Sequence, residues 1–240
     1  VYKNFSCLES GIFFFLQAIT ITIYGYFLSL TFSGVTLHKK NCLFYISYCF
    51  IGSLFMSICS ILPNSTLGWY LIPLLGHVPN MLLICLICKK RVSTALASIC
   101  TAYLLCQPPK SLYNVFAPFL PDIFLLKLLL HLLLCIAFFI VFFSFGRILS
   151  SIYNKDNKSV YIFGSIPILY YVSNYFLEVS TNHWTDPSPI ITESFRFAIS
   201  IIYLFFCIMY FHEYEEKMNL AYKEDIIDIT IEQQQKEIEM

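Results

Sequence analysis

Residues 123–145 read IFLLKLLLHLLLCIAFFIVFFSF. The stretch holds one Lys and one His, and neither Pro nor Gly. As a helix it extends about 35 Å, enough to cross the roughly 30 Å hydrocarbon layer of a bilayer. Similar runs lie on both sides, at 11–37, 42–62, 67–88, 92–106, 160–179 and 195–211. The chain of 240 residues is 58% hydrophobic and only 12% charged, against about 25% charged in soluble domains. A soluble core of this size cannot hide that much apolar surface, whereas a bilayer can. The expected fold is all-α: a polytopic membrane helix bundle of about seven spans.

Charge sets the direction. Threaded from an external N-terminus, the internal linkers carry Lys39 and Lys40, then Lys89, Lys90 and Arg91, then Arg147, Lys155 and Lys158. The external segments carry Lys3 and Lys110, while Lys127 and Arg196 fall within spans. The positive-inside rule therefore predicts an external N-terminus and a cytoplasmic C-terminus, in a multi-pass plasma-membrane protein. The run at 92–106 is short and rich in Ala, Ser and Thr. It is retained because without it the basic clusters fall on opposite sides. The first run is too long for a signal peptide and reads as a retained helix. The Pro-bearing segments 107–122 and 180–193 read as external loops able to form a lid.

Several chemistries find no support. Most of the ten cysteines lie inside apolar runs, where Cys acts as a small hydrophobe. Cys85 and Cys88 form a CxxC, but with no second pair or His at ligand spacing, so no metal or cofactor is expected in this chain. The basic clusters are explained by topology, and no nucleic-acid partner is expected.

After residue 211 the composition changes. Residues 211–240 hold nine acidic side chains against three lysines, a net of −6, with no Pro or Gly. This divides the chain into a membrane domain, 1–211, and a cytoplasmic helix, 212–240. Tyr214, Met218, Tyr222, Ile226 and Ile229 recur at spacings of three and four. A helix this long needs a partner for its apolar stripe, so the tail reads as a dimeric coiled coil continuing from the last span.

Hydrophobic spans running into Tyr214-Glu215-Glu216-Lys217 and Ile231-Glu232-Gln233-Gln234-Gln235-Lys236-Glu237 resemble the sensor half of membrane histidine kinases with a GHKL-type ATPase domain. The kind they resemble is the quorum-sensing peptide receptors of the accessory-gene-regulator type. The resemblance implies an N-terminal domain that binds an extracellular signal, a dimerising helix, and a phosphoacceptor His and ATPase domain beyond Met240. No catalytic residue is expected within this chain, although the full-length protein would be a kinase. His212-Glu213 lies at the membrane boundary without the Ser/Thr-Pro that follows a common phosphoacceptor, and reads as an interfacial residue.

Ionisable groups at bilayer depth cost about 2.5–3.5 kcal/mol each on insertion scales. His77, Asn80, Lys127, His131, Glu178 and Arg196 are therefore the candidate ligand-binding residues, expected to line an outward-opening polar cavity. Pro79 is expected to kink the span that carries His77 and Asn80. The competing reading is interhelical pairing, with Glu178 against Arg196 or Lys127. A transporter or substrate-binding subunit for a small molecule is the alternative function, weakened by the lack of an internal repeat.

Overall fold

The computed structural model describes residues 7–35, 76–86, 88–181 and 190–239 with isolated positions between 43 and 54, and most side chains within 11–35, 76–175 and 190–217. Most of the expected span at 42–62, and residues 67–75 and 87 of that at 67–88, lie outside the described residues. The elements are α1 (Cys7–Phe32), α2 (Val78–Leu86), α3 (Val92–Leu105), α4 (Gln107–Phe116), a 3-10 turn (Ala117–Phe119), α5 (Phe124–Ser144), α6 (Gly146–Lys155), α7 (Asn157–Thr181) and α8 (Ile190–Glu239). Among the described residues there is no strand. Among the described residues three helical segments are long and apolar enough to cross a membrane: Gly11–Phe32, Phe124–Ser144 and Ile190–Lys217.

The chain divides into two units, Val1–Ile201 and Ile202–Met240. In the first, α3 is the central helix, packed chiefly on α7 and α1, while α1 also packs on α5. Ala95, Ala97, Ser98, Thr101 and Ala102 are all buried. Small residues allow close backbone approach, which drives helix association where lipid removes the hydrophobic difference. Gly164 of α7 shows how close: a Cβ there would lie 2.8 Å from the Ala97 Cβ. The Ala/Ser/Thr content that makes 92–106 the faintest run is thus the signature of the most enclosed helix. With 14 residues it is about 21 Å long.

The first helix stops earlier than its apolar run suggests. Gly34 adopts φ +73° and Val35 N–H bonds back to Leu30 O at 3.0 Å, which closes α1 in a left-handed C-terminal turn. Lys89 ends α2 in the same way, at φ 53°, with Lys90 N–H on Ile84 O at 3.2 Å.

The segment 107–122, expected as a loop, opens with ten residues of helix, α4. Cys106 keeps helical dihedrals (φ −77°, ψ −16°), so α3 passes into α4 almost without a break. Pro108 and Pro109 are accommodated in the first turn of α4, where prolines are tolerated. They have no N–H to give to the carbonyls four residues back, Leu104 O and Leu105 O. Other helices reach both carbonyls: Tyr24 Oη of α1 donates to Leu105 O at 3.0 Å, and Ser200 Oγ of α8 lies 3.0 Å from Leu104 O, its one proton shared with Arg196 O at the same distance. Two hydroxyls supply the bonds that two prolines withhold, which is how a broken helix survives away from water.

The second unit is helical to Glu239. Phe205, Phe206 and Met209 are exposed, and beyond them Lys217 Nζ bonds Glu213 Oε1 at 2.6 Å, an exposed pair one turn apart. Tyr214 is half-buried; the side chains of Met218, Tyr222, Ile226 and Ile229 lie outside the described residues.

Candidate functional site

Two helices of the first unit turn polar side chains inward and large apolar ones outward. On α5, Leu125, Leu129, Leu133, Ile136 and Ile140 are each half or more exposed, while Lys127 and His131 on the opposite face are 1% and 2% exposed. The start of α8 repeats this, with Ile191 and Phe195 outside and Glu193, Arg196 and Ser200 inside. Water would penalise such a surface, whereas hydrocarbon favours it.

The inward polar groups of α4, α5 and α8 meet around α4. Lys127 forms an ion pair with Asp122 just before α5. His131 sits edge-on to the Tyr113 ring, centroids 5.4 Å apart, and its Nε2 lies 3.6 Å from Cys135 Sγ. Tyr113's chain neighbour, Asn114, donates Nδ2–H to Glu193 Oε1 at 2.9 Å. Arg196 lies 3.5 Å from the same oxygen, one turn along α8, and both members of the pair are buried. Gln107, Ser111 and Asn114 share one face of α4, and Glu193, Arg196 and Ser200 share one face of α8. The buried Gln107 Oε1, Ser111 Oγ and Glu193 Oε2 have no hydrogen-bond partner. Buried polar atoms normally do, so these three keep unused hydrogen-bonding capacity.

A second group lies where α3 and α7 pack. His77 stands edge-on to Tyr171 (5.2 Å) and Tyr103 (5.9 Å). Tyr103 and Tyr171 are themselves edge-to-face at 4.8 Å, and Asn174 Nδ2 donates to Tyr103 Oη at 2.7 Å. Gly76 and His77 form a wide turn ahead of α2, and Gly76 O accepts from Tyr26 Oη at 2.5 Å. Pro79 follows just after the wide π-type turn at Gly76 and His77. Asn80 lies apart from the tyrosines, donating to Ser29 Oγ of α1 at 2.9 Å with its Oδ1 unpartnered.

The six candidate residues therefore divide. Lys127, His131 and Arg196 belong to the group around α4, His77 to the tyrosine group, and Asn80 to the α1–α2 contact. Glu178 lies on α7, its side chain outside the described residues. Arg196 pairs with Glu193 and Lys127 with Asp122, while the expected pairing with Glu178 lies outside the described residues. Tyr113 and Asn114 escape the sequence reading because the double proline makes their segment look like a loop. Tyr103 and Tyr171 escape it because aromatic residues are everywhere in this chain.

The chain matches no protein-family model, no curated protein and no solved structure. What it does must be read from its own geometry. Among the described residues no group of three His, Cys, Asp or Glu side chains is arranged to hold a metal ion. The arrangement suits reversible polar contact at the start of α8.

Proposed function

We propose that this chain is the signal-sensing part of a membrane histidine kinase. It has seven spans, an external N-terminus and a cytoplasmic tail, and it resides in the plasma membrane as a homodimer. It binds an extracellular or membrane-borne signal, such as a small peptide, and passes the event to a cytoplasmic kinase. The observation that supports this reading best is α8. One helical element of 50 residues carries Glu193, Arg196 and Ser200 at one end and the acidic tail at the other. A signal need only favour one arrangement of the Asn114–Glu193 and Ser200–Leu104 contacts over another to bias the helix that carries the output. Dimerisation through Tyr214, Met218, Tyr222, Ile226 and Ile229 gives that helix a partner to move against.

The reading frame beyond Met240 tests the proposal. A helix bearing a phosphoacceptor His, followed by an ATPase domain, is expected. A stop codon at that point would overturn the kinase reading in favour of a transporter or binding subunit. The topology has its own test: alkaline phosphatase fused after residue 110 should be active and fused after residue 155 inactive. Activity at both positions removes the alternation.

A further inference from the structure

Where the link from α2 to α3 meets the end of α6 and the start of α7, six cations lie on the joined elements. Lys89, Lys90 and Arg91 join α2 to α3, Arg147 and Lys155 lie at the two ends of α6, and Lys158 opens α7. The C-terminus of α1 closes on the same place: a Cβ at Gly34 would lie 2.5 Å from Ser150 Oγ and 3.5 Å from Lys90 Nζ.

Two of the cations are held by neutral groups. Arg91 donates to Asn157 Oδ1 at 2.6 Å and to Tyr153 O at 3.3 Å. Lys90 donates to Asn154 Oδ1 at 3.3 Å. Asn154 is fixed in turn by donating to Ser150 O at 2.8 Å and Ser33 O at 3.2 Å. Among the described residues no carboxylate forms an ion pair with Lys90, Arg91 or Arg147. Asp156 is the one acid in these segments, and its Oδ1 accepts the Ser159 N–H at 2.6 Å at the start of α7. Lys90 and Arg91 are thus fixed in position by neutral partners, while Asp156 lies close enough to Lys155 and Lys158 to feel both charges. Apolar surface borders the patch on several sides: Leu86 is 73% exposed, Val92 61%, and Tyr161, one turn after Lys158, 65%.

Fixed cations bordered by outward apolar side chains match one amphiphile, with acyl chains against the apolar rim and a negative headgroup over the charges. We propose that this rim binds the headgroup phosphate of an anionic phospholipid in the adjoining leaflet. The proposal rests on the chain spanning a membrane and is independent of what the protein senses.

The detergent-purified chain, offered phosphatidylglycerol, phosphatidylcholine and inorganic phosphate, tests it by native mass spectrometry and thermal melting. Phosphatidylglycerol should be retained and should raise the melting temperature, phosphatidylcholine should do neither, and free phosphate should fail to displace the lipid. Arg147→Gln/Lys158→Gln removes two cations for which the fold shows no hydrogen bond. It should weaken phosphatidylglycerol retention by about fivefold per charge and leave the lipid-free melting temperature unchanged. Lys90→Gln/Arg91→Gln should lose more but also breaks contacts between helices, so the first pair decides. Equal retention of the two lipids, displacement by phosphate, or undiminished retention by the Arg147/Lys158 variant would each overturn the proposal.

Discussion

Helices α3 and α5 belong to the same bundle and obey opposite rules. α5 is the most apolar helix of the chain, yet Leu125, Leu129, Leu133, Ile136 and Ile140 point outwards. α3 is a milder sequence of Ala, Ser, Thr and Cys, and it is enclosed on nearly every side. In a soluble protein the more hydrophobic helix would be the inner one. In lipid the outward residues meet a solvent as apolar as themselves, and what distinguishes the interior is close fit and hydrogen bonding. Hydropathy here measures exposure to lipid rather than burial in protein.

The widest separation between the two helices should come from paired truncations. Ile99→Ala on α3 removes a residue packed with Leu30, Leu83, Ile84 and Ala95 and should cost about 2–5 kcal/mol. Leu133→Ala on α5, at a position 57% exposed, should change stability by no more than about 0.5 kcal/mol. Thermal melts of both variants in the same detergent check this; equal losses would break the comparison.

The close approach of α7 to α3 gives the next effect. Gly164→Ala improves helix propensity by roughly 1 kcal/mol but places its Cβ 2.8 Å from that of Ala97. Overpacking at about 1–3 kcal/mol should win, so the variant melts lower. Ala97→Gly in the same chain should restore the melting temperature.

The proline break tests whether hydrogen bonding governs the interior. Ser200→Ala removes the hydroxyl that reaches Leu104 O and should cost about 1–3 kcal/mol. Pro108→Ala supplies an N–H to that carbonyl from within the helix. The double variant should therefore melt above Ser200→Ala, an improvement that a simple packing role for Ser200 does not produce. Tyr24→Phe with Pro109→Ala forms the matching pair at Leu105 O.

The smallest effect lies at the start of α7, the main neighbour of α3. The Asp156 carboxylate accepts the Ser159 backbone N–H, and this bond above all holds its pKa below the ordinary carboxylate value. The folded state therefore binds that proton more weakly than the unfolded chain. The stabilisation is complete above the unfolded pKa, near 4, and is lost as pH falls through the lower folded value. Asp156→Ala should melt below the parent at neutral pH, and the gap should close progressively on acidification below about pH 4.

Much of this fold is legible in the sequence because lipid leaves a strong mark. The runs behind α1, α5 and the first half of α8 show themselves by length and apolarity, and Glu193 with Arg196 by helical spacing. The tail's composition marks a helix, and the structure is helical to Glu239. α4 is not legible, since a double proline reads as a loop unless one knows that Tyr24 and Ser200 stand ready to bond the exposed carbonyls. The grouping of the polar residues is equally hidden. Lys127 finds Asp122, and His77 finds Tyr103 and Tyr171, through tertiary packing that no local period encodes.

The division of labour on α5 has a practical meaning. Its inward residues, such as Lys127, His131 and Cys135, hold the contacts that identify this bundle, while its outward leucines and isoleucines mainly name the medium around it. Those two sets of positions are separable. Exchanging the outer set for Gln, Glu and Lys, with the inner set untouched, is a direct recipe for carrying the same architecture from lipid into water.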